Sequence, residues 1–349
     1  MTDPYVPVER ERRFGSGGPT LAAVGEVALV EQLVDIARTG SGPTLASAAG
    51  DDAAVWQPPP GCDLAVSVDA MVEDVDFRRG WITPRQLGRR AFAVAVSDLA
   101  GTGARAVMCL ATLCARRGEQ AEDVLEIQRG LCEAAAAAGC TVAGGDCSAI
   151  DGPMVIDVCV TGVVDAGRAL LRSAGRPGDI LLVTGVLGSA AAGLRILLEG
   201  VDAVSDPERR WINAQLQPAT RLREGRELLA RGVRCGGDIS DGLVLDALRT
   251  ARASACAVEL WADYLPVDSG LVERFGKQWL ELAIGGGEDF ELVAALPEPD
   301  VEALLRGWPP DLAPLTTVGA LRDGAGVRLL DSPGGIELPL PPSRAGHFS

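Results

Sequence analysis

Hydrophobic positions repeat along this chain with two periods. "GEVALVEQLVDIART" (25–39) places Val27, Val30, Leu33, Val34 and Ala37 at helical spacing, so a helix is expected there. "DLAVSVD" (63–69) alternates Leu64, Val66 and Val68 with other residues and reads as a strand ending at Asp69. "TPRQLGRRAFAVAVSDLAGTG" (83–103) opens with Thr83 as N-cap and Pro84 at the first helical position, and stops at Gly101 or Gly103. Strands are expected at 106–113, 141–145 and 154–164, with a long helix over 120–139 between the first two. After a Gly/Pro-rich break, "RSAGRPGD" (172–179), the pattern resumes. A strand at 180–185 is followed by helices at 189–200, near 219–231 and over about 242–253, and by strands at 257–260, 290–296 and 327–330. Strands and helices alternate on both sides of the break, which is an α/β or α+β pattern. A length of 349 residues favours two domains. The break places them at 21–166 and 167–349, with residues 1–20 as a flexible tail.

Composition narrows the chemistry. The formal net charge is −16, which repels nucleic acid and anionic membrane surfaces but admits a small polyanion if a divalent cation stands between. The nine cysteines form no CxxC pair and read as reduced, mostly buried thiols in a cytoplasmic protein. No stretch is apolar for long enough to span a bilayer, and the N-terminus lacks the apolar region of a signal peptide. His347 is the only histidine and Lys277 the only lysine. A histidine-based triad or zinc site would have to rest on the first alone, and the GxxxxGK[ST] phosphate loop is absent.

Carboxylates take the place of those groups. "SAAGDDAAV" (47–55) sets Asp51 beside Asp52, Asp69 closes a strand, and Asp98 lies near a helix end in "AVSDLAG". Asp146 follows two glycines in "AGGDCS", Asp238 and Asp241 flank a turn in "GGDISDGLVLD", and Glu288 and Asp289 sit in "GGGEDFEL". Taken singly, Asp51–Asp52 suits a solvated turn and Asp238 a helix cap as well as a ligand role. Converging acids could stay ionised only around a hard cation, for which magnesium, with its taste for carboxylate, phosphate and water oxygens, is suited.

In order, the segments "GDDAAV" (50–55), "SVDAMVEDVDF" (67–77), "AVAVSDLAGTGA" (93–104), "AGGDCS" (143–148), "RALLRSAGRPGDILLVTGVLGSAAAGL" (168–194), "GDISDGLVLD" (237–246) and "GGGEDFEL" (285–292) resemble the thiamine-monophosphate kinase family. That family belongs to the wider aminoimidazole ribonucleotide synthetase-like (PurM-like) ATP-binding superfamily. The resemblance implies an N-terminal sheet domain that dimerises and a C-terminal α/β domain, with ATP and several Mg2+ ions bound. It implies Asp52, Ser67, Asp69, Asp98, Asp146, Asp238 and Asp241 as the metal set, with Asp69, Asp146 and Asp241 closest to the chemistry. Gly145, Asp146, Arg172 and Ser240 would contact ATP, and Glu288 would face the thiamine moiety. The implied reaction is in-line transfer of the γ-phosphoryl group of ATP to thiamine monophosphate, without a phospho-enzyme. Three features depart from the family pattern: Asp76 stands where a substrate-contacting histidine is usual, Val68 stands where threonine is usual, and the C-terminal aromatic that packs on the substrate has no equivalent at 344–346, a segment outside the described residues. A superfamily enzyme with another acceptor, or an ATP-binding homologue without turnover, therefore stays open as an alternative.

Overall fold

The structure is a computed structural model and describes residues 11–40, 42, 45–200 and 205–341. The chain forms two compact units. The first comprises residues up to Pro58 with Val66–Ala95 and Ala106–Thr161; the second comprises Pro59–Ala65, Val96–Arg105 and the chain from Gly162 onward. Two short segments, 59–65 and 96–105, thus group with the second unit rather than falling on one side of a single cut near 166.

The first part of the chain runs α1 (Leu21–Val24), α2 (Glu26–Arg38), β1 (Cys62–Val72), α3 (Pro84–Gly101), β2 (Arg105–Ala115), α4 (Ala121–Ala137), β3 (Thr141–Ala149) and β4 (Val155–Asp165). The strands form a four-stranded sheet in the order β1-β4-β2-β3, which leaves β1 at an edge. β2 and β3 pair in parallel, with Thr112 opposite Asp146. Thr83 caps α3 as its sequence suggests: its Oγ1 accepts from the Gln86 amide at 3.1 Å, and Gln86 Oε1 accepts from the Thr83 amide at 3.0 Å. Leu29 of α2 packs with Val124 and Leu125 of α4, so α2 is held against the longer helix by its apolar side.

Residues 1–10 lie outside the described residues, but 11–20 are not the loose tail expected. Asp123, at 1% exposure, needs partners for its charge, and this segment supplies them. Arg12 Nε donates to Asp123 Oδ1 at 3.0 Å and the Gly15 amide to Oδ2 at 2.8 Å. The Arg79 guanidinium lies 5.1 Å from the Phe14 ring centroid, and Ala121 N donates to Pro19 O at 2.9 Å. A polar composition concealed a strap whose Arg12 is spent on a buried acid.

The remainder runs β5 (Asp179–Thr184), α5 (Ser189–Glu199), α6 (Asp206–Leu216), α7 (Leu222–Ala230), β6 (Cys235–Ile239), α8 (Leu243–Ala253), β7 (Ala257–Trp261), α9 (Ser269–Phe275), α10 (Trp279–Gly285), β8 (Glu291–Pro297), α11 (Glu298–Gly307), β9 (Leu315–Arg322), β10 (Gly326–Leu330) and β11 (Glu337–Leu338). Its seven-stranded sheet has the order β11-β10-β7-β9-β5-β8-β6, antiparallel except where β10 runs parallel to β7. Leu243, Ala247 and Ala251 recur every four residues on α8 and form one buried stripe against Val258, Leu260, Val293 and Leu329 of the sheet. That packing fixes the N-terminus of α8, and with it the turn joining β6 to α8.

Candidate active site

In the first unit, one cavity of about 370 Å³ gathers residues from six segments. Val30, Leu33, Val34 and Ala37 of α2 give it an apolar wall, and Asp51, Asp52, Gly145 and Asp146 give it a polar one. Three expected site residues, Asp52, Gly145 and Asp146, therefore line the same space. Asp51 and Asp52 stand on an exposed turn, where solvent relieves the repulsion between adjacent carboxylates. Asp51 is the turn-former: it accepts from Ser47 Oγ and from the Asp52 amide, both at 2.9 Å. These bonds, the Ser47 hydroxyl's foremost, hold its carboxyl below the usual range. Gly145 is required by packing: a Cβ there would lie 1.9 Å from the Ala111 carbonyl oxygen of the paired strand.

Ser67 and Asp69 are half-buried on one face of β1, and neither lines that cavity. The opposite face of β1 presents Leu64, Val66 and Val68 at 55%, 62% and 57% exposure. Asp76 closes the turn after β1, since its carboxylate accepts from the Val72 amide at 2.7 Å and its own amide donates to Val72 O at 2.9 Å.

In the second unit the β6–α8 turn carries the next group. Asp238, near the end of β6, is 5% exposed. Ser97 Oγ donates to its Oδ2 at 2.9 Å, and Arg172 Nη2 donates to its Oδ1 at 3.1 Å and its carbonyl at 2.9 Å. Burial, reinforced by the charge of Asp98, pushes the Asp238 carboxyl up to about 6 against the pull of Ser97 and Arg172. Asp98 and Asp238, taken from motifs far apart in sequence, are thus brought within electrostatic reach of each other. Arg172 also donates from Nη1 to the Asp246 carbonyl at 3.1 Å and to Thr250 Oγ1 at 3.3 Å. Its guanidinium braces the turn, a use that its expected phosphate contact did not foresee. Asp241 is exposed and paired with Arg249.

The segment with Glu288 lies against that turn. The Glu288 amide donates to Ser240 O at 2.8 Å and the Phe290 amide to Ile239 O at 3.0 Å. Gly287 has no room for a side chain, because a Cβ would come within 2.7 Å of Ser240 O. Glu288 and Phe290 both adopt left-handed backbone, with φ of 69° and 49°. Between them, Asp289 accepts from Gly188 N at 2.7 Å and Ala190 N at 3.1 Å at the start of α5. Burial pushes its carboxyl up to about 7 despite those two bonds. The carboxylate of Glu288 accepts from the amide of Gln215 on α6, and Glu291 is gripped by Arg221 through two 2.6 Å bonds. Gln215, Arg221 and Asp246 escape motif reading because their work is to hold other residues. Asp246 alone left a trace, as the last residue of "GDISDGLVLD".

Among the described residues no group of three or more His, Cys, Asp or Glu side chains stands ready to hold a metal ion, and no helix is long and apolar enough to cross a membrane. Carboxylates nevertheless occur in neighbouring sets, Asp51, Asp52 and Asp146 around the cavity and Asp98 with Asp238 near the turn. Magnesium held by one or two carboxylates, with phosphate and water completing its shell, matches donors of this kind.

Known proteins resemble this chain along most of its length. Residues 50–164 match the family model described as AIR synthase related protein, N-terminal domain. The thiamine-monophosphate kinase of Bacillus subtilis (strain 168) is 33% identical over 276 residues, covering 78% of this chain and 85% of the relative. Among solved structures, the thiamine-monophosphate kinase from Stenotrophomonas maltophilia K279a superposes with a TM-score of 0.79 at 30% identity, over 86% of this chain and 96% of that one. A structure described as AaThiL complexed with AMPPCP and TMP gives a TM-score of 0.71 at 28% identity, over 90% and 96%. A two-sheet α/β fold, an acid-lined cavity and this likeness along most of the chain lead to one assignment: the chain belongs to the thiamine-monophosphate kinase family.

Proposed function

We propose that this chain transfers the γ-phosphoryl group of ATP to thiamine monophosphate, giving thiamine diphosphate and ADP. The observation that carries the reading is the cavity that unites Asp52, Gly145 and Asp146 with the apolar wall of α2. An apolar wall suits a nucleobase, while acids at the same cavity suit a nucleotide only with a cation between. Magnesium, when bound, neutralises phosphate charge and orients the phosphoryl group. Asp52, Asp69 and Asp146, with Ser67, would hold it on the first unit, and Asp98, Asp238 and Asp241 on the second. Gly145 and Ser240 offer contacts along the nucleotide, and Arg172 keeps the Ser240 turn in place beside them. Glu288 supplies a carboxylate for the cationic thiazolium, and its tie to the Ser240 carbonyl sets it next to the phosphate-binding turn. Asp76 turns its charge onto the Val72 amide, which supports retention of a phosphorylated acceptor despite the missing histidine.

The exposed row of Leu64, Val66 and Val68 on an edge strand suits pairing with a second copy of this chain. Nine free cysteines fit a cytoplasmic setting. Incubation with ATP, Mg2+ and thiamine monophosphate, followed by chromatography, is expected to yield thiamine diphosphate. Asp146→Asn should lower turnover by about 10²-fold or more, because an amide cannot replace an anionic oxygen donor. Absence of product from the unaltered chain would refute the reading.

A further inference from the structure

Asp246 lies in the first turn of α8 and is completely buried. A carboxylate there must be fully partnered or its charge would be prohibitive. Its Oδ2 accepts from the Ser240 amide at 3.0 Å and from the Asp241 amide at 2.9 Å. Its Oδ1 accepts from Arg249 Nη1 at 2.7 Å and lies 3.6 Å from Arg172 Nη2. The same two arginines hold the neighbouring acids, Arg172 binding Asp238 and Arg249 binding Asp241. One buried group thus touches the backbone of Ser240, expected at ATP, and of Asp241, an expected metal ligand, and reaches the side chains of Asp238 and Asp241 through its arginines.

We propose that Asp246 is a positioning residue that sets the geometry of the 238–241 turn for binding a metal–nucleotide complex. This rests on the kinase reading above. Asp246 touches neither ATP nor the acceptor in this role. It acts by fixing two backbone N–H groups and by dividing the two guanidinium groups between itself and the acids they orient. A residue needed only for folding would, on substitution, lower the stability and the active fraction without changing the affinity of the molecules that remain folded. A positioning residue changes the affinity itself.

The test compares the full chain with its Asp246→Asn variant. Mn2+ binding is followed by electron paramagnetic resonance with a non-hydrolysable ATP analogue present, and the KM values for ATP and thiamine monophosphate are measured separately. The asparagine keeps one oxygen for the two amides but turns an N–H2 group toward the arginines. The expected result is a dissociation constant for Mn2+ raised about 10- to 100-fold, the range for groups that orient metal ligands. The KM for ATP should rise with it while that for thiamine monophosphate moves less than threefold. Unchanged Mn2+ affinity in a folded variant, or equal rises in both KM values, overturns the proposal. If Asp246→Asn does not fold, Thr250→Val carries the test. It removes the hydroxyl that links Arg172 to the Asp246 carbonyl, and should weaken Mn2+ binding about threefold. No change there also overturns the proposal. Mn2+ and nucleotide binding are read without the acceptor, so a chain that binds both but leaves thiamine monophosphate untouched fails the kinase reading and not this one.

Discussion

At the scale of single residues, charge is placed where burial makes it costly, and this gives a pH signature. Asp289 is pushed up to about 7, chiefly by burial, from an ordinary carboxyl value of 3.8. Its native form therefore holds a proton that the unfolded chain releases. Its contribution to stability is complete below pH 3.8 and declines as pH rises toward 7, by an amount on the order of a few kcal/mol. Urea unfolding at pH 5 and pH 7.5 should show the fall, and Asp289→Asn should flatten it. A rise in stability over that interval attributable to Asp289 would contradict the assignment. Asp76 makes a second case. Sequence comparison marks it as a misfit, yet its carboxylate completes a turn through the Val72 amide. Asp76→Ala should cost about 1 kcal/mol of stability in thermal or chemical unfolding. Spacing could show that acids recur beside glycines. It could not show that Asp51 forms a turn, or that Asp51 and Asp52 line one cavity with Asp146, because the cavity joins segments remote in sequence.

At the scale of elements, strong periodicity was legible and weak periodicity was not. The helix expected over 25–39 is α2 at Glu26–Arg38, and the one expected over 120–139 is α4 at Ala121–Ala137. The hydrophobic pattern predicts no helix where α6 lies, although "SDPE" at 205–208 is a capping box with proline in the first turn. Its polar residues masked the signal, and only Trp211 and Gln215 are buried. Strands β6 and β9 likewise lie outside the expected elements; β6 carries two glycines, Gly236 and Gly237, in five residues and depends on pairing with β8 to be a strand at all. β1 supports a prediction at this scale. If its exposed valines face a second copy, Val66→Asp with Val68→Asp should convert a dimer into monomers by sedimentation velocity. A chain that sediments as a monomer before substitution would discard the idea. The strap over 11–20 gives another: Arg12→Ala leaves Asp123 with its Gly15 amide but without a cation, and should destabilise the protein by about 3 kcal/mol in urea unfolding.

At the scale of the whole molecule, ligand and stability are linked. A non-hydrolysable ATP analogue with Mg2+, at 100 times its dissociation constant, should add about 2.7 kcal/mol of stability, seen as a rise in melting temperature. Asp146→Asn should abolish that rise at the same ligand concentration. The α/β class was legible because both halves alternate strand and helix, whereas the grouping of 59–65 and 96–105 with the second unit was not, since no break in composition marks it. The left-handed pair at Glu288 and Phe290 carries a last consequence. Glycine would relax either position, so a library selected only for heat tolerance should accumulate Glu288→Gly. Such clones would be sturdier and worse at their task, and the conflict between endurance and turnover would be concentrated in a single loop.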